Sequence, residues 1–152
     1  MEKTNFEKLR VYRLAESLAD SVWRIVLNWD YLAKVTVGKQ LIRAADSIGA
    51  NLAEGTGRGT SLDNRRFIRI ARGSLYETKH WLRRAHRRSL LNPQQVDNLN
   101  PLMNELSPML NAYFRAVDRA AKAGKIKTQS TKNKAQRSRG TTRSSTLQET
   151  AE

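Results

Sequence analysis

Between Asn64 and Arg88 the chain carries nine Lys and Arg residues and a single acid, Glu77. Laid on a helix at about 100° per residue, Arg65, Arg69, Arg72, Lys79, Arg83 and Arg87 fall on one side. Phe67, Ile70, Ala71, Ser74, Thr78, Trp81, Leu82 and Ala85 fall on the other. This predicts a cationic stripe about six turns long that faces away from the core. Its chemistry is phosphate recognition, driven by release of the counterions condensed on a polyanion. Like charges four residues apart, as in Arg65/Arg69, Lys79/Arg83 and Arg83/Arg87, destabilise a helix by roughly 0.2–0.5 kcal/mol per pair, and a phosphate backbone relieves that cost. The six cations are therefore candidate nucleic-acid-binding residues, for RNA, DNA or both. The alternative is a solvated face, or one that pairs with acids of a neighbouring subunit. Defined side chains at base edges, which sequence-specific readout requires, are not evident. Tyr76 lies among the cations and is a candidate platform for an unpaired base; the alternative is that it covers neighbouring side-chain stems.

Other chemistry finds little support. His80 and His86 are the only histidines, and neither sits in an H-E-x-x-H or E-x-x-H pattern. There is no cysteine, which excludes disulfides, thiolate metal sites and a Cys nucleophile. The segment Gly55-Thr56-Gly57-Arg58-Gly59-Thr60 is glycine-rich but lacks the G-x-x-x-x-G-K-[ST] phosphate loop, and no strand precedes it. It reads as an interhelical turn. No catalytic residue, metal ligand or cofactor is expected. Arg43, Asn51, Glu54 and Glu77 are candidates for a polar network between two helices, with Asn51 and Glu54 holding register.

The elements that must carry these residues follow from composition and periodicity. Formal net charge is +14 over 152 residues. Residues 125–152 hold seven Lys/Arg against two Glu, no aromatic residue, and Ile126 and Leu147 as their only large aliphatics. Such a segment cannot bury enough apolar surface to offset its ordering entropy and is read as a disordered basic tail. A surplus of +9 remains on residues 1–124, so the basic character belongs to the folded domain too. That domain, 1–124, reads as an all-α antiparallel four-helix bundle. The first helix runs from about Asn5 to Asn28, opened by a Thr4–Glu7 capping box and carrying Phe6, Leu9, Ala15, Leu18, Val22 and Ile25 at helical spacing. The second runs from about Val37 to Glu54, with Leu41, Ala44, Ala45, Ile48 and Leu52 inward and Gly55 as its C-terminal cap. The third starts near Ser61, its expected N-cap, and ends near Arg88. Asn92 then Pro93 is an N-cap followed by a first-turn proline for the fourth. Pro101 and Pro108 predict a kink in it, or a start later than Pro93. Trp23, Trp29, Tyr31, Tyr113 and Phe114 leave apolar surface for self-association.

No stretch is apolar and long enough to span a bilayer, and Met1-Glu2-Lys3-Thr4-Asn5 lacks the pattern of a secretory signal. A cytoplasmic protein without a membrane partner is expected, although an anionic membrane surface is the runner-up to nucleic acid as a polyanionic partner.

The run Gln40-Leu41-Ile42-Arg43-Ala44-Ala45-Asp46-Ser47-Ile48-Gly49-Ala50-Asn51-Leu52-Ala53-Glu54-Gly55 resembles the signature of a bacterial four-helix-bundle family. That family includes proteins encoded in intervening sequences of 23S rRNA genes and the accessory variability proteins (Avd) of diversity-generating retroelements. Arg66-Phe67-Ile68-Arg69-Ile70-Ala71-Arg72-Gly73-Ser74-Leu75-Tyr76-Glu77 resembles its next block, and Phe6-Glu7-Lys8-Leu9-Arg10-Val11-Tyr12 its opening. The resemblance spans roughly residues 5–123. Gly49 departs from it, standing where a larger residue or proline is common. The resemblance implies a non-enzymatic bundle. For the retroelement branch it implies a basic homopentamer that binds nucleic acid and a reverse transcriptase in support of mutagenic retrohoming. The high charge favours that branch. The intervening-sequence branch implies a structural or protein-interaction scaffold.

Overall fold

In the computed structural model, residues 5–145 are described, with side chains described through residue 136. They form a 3-10 turn, Phe6–Lys8, followed by α1 (Arg10–Val26), α2 (Tyr31–Ala33), a π-helical stretch Lys34–Gly38, α3 (Lys39–Gly57), α4 (Ser61–Arg87) and α5 (Pro93–Ser145). Among the described residues there is no strand. From Tyr31 to Gly57 the backbone is one continuous helical rod, so there are four rods in all.

The rods pack in a ring, α1 on α3, α3 on α4, α4 on α5 and α5 back on α1. Side-chain pairings show adjacent rods to be antiparallel. Gly38 lies against Val26 while Gly49 lies against Tyr12, and Gly55 lies against Asn64 and Phe67. Arg65 pairs with Asp118 while Lys79 reaches Ser107. The core contains Leu18 and Val22 of α1, Leu41, Ile48 and Leu52 of α3, Ile68 and Leu75 of α4, and Leu106 and Leu110 of α5, all fully buried. Besides Ser74, the buried positions on α4 are Ile68, Ala71, Leu75, Thr78, Leu82 and Ala85. These alternate steps of three and four, the period of helices packed as a left-handed bundle. Thr78 is completely buried, and its hydroxyl donates to the Ser74 carbonyl at 2.8 Å.

Helix ends differ from expectation in instructive ways. Leu9 is extended (ψ 124°), so α1 starts at Arg10 and the residues before it make a separate turn. Phe6 folds back edge-on against the Tyr12 ring, 4.9 Å between centroids. Thr4, half of the expected capping box, lies outside the described residues. The second rod starts at Tyr31 rather than Val37, because Asp30 caps it by accepting from the Ala33 N–H at 3.0 Å. Gly55 is not a cap: α3 continues to Gly57, and the left-handed residue of the turn is Gly59 (φ +77°). Thr60, not Ser61, caps α4, its hydroxyl accepting from the Asp63 N–H at 3.1 Å.

Asn92 behaves as expected. Its side chain accepts from the Gln95 N–H at 2.8 Å, and the Gln95 side chain accepts from the Asn92 N–H at 2.9 Å, a reciprocal box ahead of Pro93. The fourth rod therefore starts at Pro93 and is helical through both Pro101 and Pro108. Each proline deprives the carbonyl four residues earlier of its helical donor. Those residues, Asp97 and Asn104, are exposed, as are both prolines, so solvent can take over.

The segment expected to be a disordered tail is, through Ser145, an extension of α5, and residues 146–152 lie outside the described residues. From Lys122 to Gln136 every residue is exposed. Through Gln136 the extension buries no core surface, in keeping with its lack of large apolar residues. Trp29 also departs from expectation. It is buried against Gly38 rather than left for self-association, and Tyr113 and Phe114 are half-buried. Five exposed apolar side chains, Trp23 (51%), Leu27, Tyr31 (80%), Leu32 and Val35, lie where α1 ends and the second rod begins, and Leu62, Ile70, Tyr76 and Ile126 are exposed elsewhere.

Candidate nucleic-acid interface

All six predicted cations lie on α4, and α4 does not aim them straight away from the core. Phe67, Ile70 and Trp81 are half-buried or exposed, whereas Ile68 and Leu75 are fully buried. The buried face is thus rotated toward the cations, which flank the core along the seam with α5. Arg65, Arg69, Arg72, Tyr76, Lys79 and Arg83 step by fours and threes beside that seam.

The seam divides them into two groups. Arg65 forms a half-buried ion pair with Asp118 (2.6 Å), which also meets Lys122 (2.8 Å). Arg72 is half-buried with its guanidinium 5.7 Å from the Phe114 ring centroid. The Lys79 ammonium donates to Ser107 Oγ at 3.0 Å. These three are tied to α5 and stabilise the bundle. Arg69, Arg83 and Arg87 are exposed and have no ion-pair partner among the described residues. The Arg69 guanidinium lies over the Phe114 ring, 5.2 Å from its centroid, a contact that orders it and leaves its charge available. Tyr76 is 63% exposed, with the Lys79 ammonium 5.9 Å from its ring centroid.

Sequence reasoning missed the cations that extend this surface. Arg66 and Arg88 are exposed on α4 and its cap, and Arg115 and Arg119 on α5. At the C-terminus of α4, Arg84, His86 and Arg87 also meet the negative end of the helix dipole, so part of their mutual repulsion is offset without a ligand. The expected network of Arg43, Asn51, Glu54 and Glu77 does not form. Asn51 donates to its own helix at Ser47 (2.7 Å), Glu54 pairs with Arg58, and Arg43 and Glu77 are exposed. The polar links between rods are instead Asn64 to Tyr113 (3.1 Å), Arg65 to Asp118, Lys79 to Ser107 and Arg10 to Glu105. A four-residue spacing satisfied within one helix is what the sequence pattern could not distinguish from a cross-link.

Three acids lie together on the opposite side. Glu16, Asp20 and Asp46 line a groove between α1 and α3 with Tyr12. Burial first, and Asp20 second, push the Asp46 carboxyl above its ordinary range.

Asp118 makes the seam pH-dependent. Hydrogen bonds from Lys122 and then Arg65 hold its carboxyl down at about 2. A folded-state value below the unfolded one contributes stability that is complete above the unfolded value, about 3.9, and is lost as pH falls through the folded one. Asp118→Asn is therefore expected to be less stable than the parent at neutral pH, with the difference closing between about pH 4 and pH 2. Denaturant melts of both chains across that range check it; a difference constant with pH would assign the loss to packing instead.

Among the described residues, no helix is long and apolar enough to cross a membrane. The family model for the 23S rRNA-intervening sequence protein matches residues 7–112, slightly less than the 5–123 over which the resemblance was traced. No curated protein matches the chain. A crystal structure of a protein of unknown function from the S23 ribosomal protein family of Bacteroides thetaiotaomicron superposes with a TM-score of 0.61. It shares 22% sequence identity, covering 68% of this chain and 97% of that one, a likeness that speaks to fold. With the family model spanning more than half of its length and the same bundle in its structure, this chain belongs to the 23S rRNA-intervening sequence protein family.

Proposed function

We propose that this chain is a non-catalytic nucleic-acid-binding protein that holds structured RNA against the α4/α5 side of its bundle. The observation that carries the reading is the exposed row Arg69, Arg83 and Arg87, without ion-pair partners among the described residues and on the side away from the acidic groove. Within the family, the high charge favours an accessory role of the Avd kind, in which the protein presents template RNA to the reverse transcriptase of a diversity-generating retroelement. The exposed patch of Trp23, Leu27, Tyr31, Leu32 and Val35 supports self-association, and the resemblance gives a pentamer as the assembly. The second reading is a scaffold that meets an acidic protein. It is favoured by the engagement of Arg65, Arg72 and Lys79 within the bundle itself.

The test is affinity for structured RNA as a function of salt, for the full chain and for a chain ending at Gly124. Steep salt dependence in both, with log K falling by about 0.7–0.9 per contacted phosphate on a log-salt scale, supports a site on the bundle. Loss of binding with the extension moves the site to residues 125–152, and no binding at low salt leaves the scaffold.

A further inference from the structure

The end of the α4/α5 seam where residues 88–92 join the two helices contains a cleft of about 470 Å³. Three kinds of group meet there. Arg83, His86 and Arg87 supply cationic or hydrogen-bond-donating groups from α4, and no acid lines the cleft. Leu91, Val96 and Met103 form apolar wall, all of them only half-buried. Asn100 and Asn104, one helical turn apart on α5, add two exposed side-chain amides.

We propose that this cleft receives one unpaired nucleotide of a bound RNA strand, an inference that rests on the nucleic-acid reading above. A phosphate alone has no use for apolar walls, and a regular duplex backbone presents no base to fill them. An extruded nucleotide has both an anion and an apolar π-face, together with an edge of donors and acceptors. The volume falls in the range of pockets that enclose small ligands, about 300–1,000 Å³. Carboxamides are the side chains whose paired donor and acceptor match a base edge. Apolar groups against the base faces and cations on the flanking phosphates complete the pattern by which proteins hold unstacked bases. The protein would then recognise a bulge or single-stranded loop by its shape, with Arg83 and Arg87 holding the flanking backbone.

The experiment uses the full chain and three probes: an RNA hairpin with one bulged 2-aminopurine, the same hairpin without the bulge, and adenosine monophosphate. Two variants alter the cleft without changing charge: Met103→Trp fills it, and the double substitution Asn100→Leu with Asn104→Leu removes its amides at exposed positions. The expected result is about tenfold tighter binding of the bulged hairpin to the parent, with a change in 2-aminopurine fluorescence. Both should be lost in the Asn double variant while the unbulged hairpin still binds within about twofold; Met103→Trp should do the same, provided its circular dichroism matches the parent. Equal binding of the two hairpins, or a preference that survives the Asn substitutions, overturns the cleft proposal and leaves the surface reading intact. Binding of neither hairpin at low salt overturns both. Displacement of the bulged hairpin by micromolar adenosine monophosphate overturns the strand-bound form and reassigns the cleft to a free nucleotide.

Discussion

Replacing Arg69, Arg83 and Arg87 together by Glu is expected to lower affinity for structured RNA by at least about 100-fold at moderate salt. The reason is additive. Each of the three is exposed and has no ion-pair partner among the described residues, so each is available to replace a counterion on a phosphate. Removing one such contact flattens the dependence of log K on log salt by roughly one unit or slightly less, and reversing its charge adds repulsion. Helicity should not change, since none of the three is buried in the core. Arg65→Ala is the informative contrast. Arg65 lies in the same sequence stripe, but its guanidinium is engaged by Asp118. That substitution should lower the melting temperature and leave the salt slope near the parental value. If the triple variant bound RNA as tightly as the parent, or if Arg65→Ala flattened the slope as much as Arg83→Ala, the division of the stripe into structural and binding cations would be wrong.

Much of the bundle was legible from sequence because amphipathic periodicity and caps are local signals. Leu41, Ala44, Ala45, Ile48 and Leu52 were expected inward on α3 and are buried, and Asn92 with Pro93 opens α5. What was not legible depends on neighbours. On α4, choosing the core by hydrophobicity favoured Phe67, Ile70 and Trp81, yet the bundle needs a narrow seam with steps of three and four. That seam selects Ile68 and Leu75 and leaves the larger side chains at its margin. The consequence for the site is direct. A helix wheel for an isolated α4 puts all six cations in water, but in the bundle Phe114, Asp118 and Ser107 of α5 engage four of them. Those partners lie 28 to 53 residues away along the chain in the two hydrogen-bonded cases, beyond the reach of any local pattern. The cleft has the same origin: Arg87 and Asn104 become neighbours only when α4 and α5 pack.

Two glycines of α3 should respond to the same substitution with opposite signs. Gly55→Ala is expected to destabilise the protein by roughly 1–3 kcal/mol. A Cβ at Gly55 would sit 2.6 Å from Asn64 Oδ1 and 2.8 Å from Phe67 Cβ. The Asn64 side chain cannot swing aside at no cost, because its amide nitrogen holds the Tyr113 hydroxyl at 3.1 Å. Phe67 Cβ is fixed to the α4 backbone, so relief requires the start of α4 to move away from α3. The gain in helix propensity, about 0.8–1 kcal/mol for Gly to Ala, does not offset a displacement of two packed rods. At Gly49 the nearest atom to a new Cβ is Tyr12 Cε2 at 3.5 Å, an ordinary contact. Propensity then dominates, and Gly49→Ala should stabilise by about 0.5–1 kcal/mol. Urea melts of the two variants beside the parent decide the matter, with unchanged m-values confirming that the same surface is exposed. A Gly55→Ala chain as stable as the parent would mean that α3 and α4 can separate at their turn without loss.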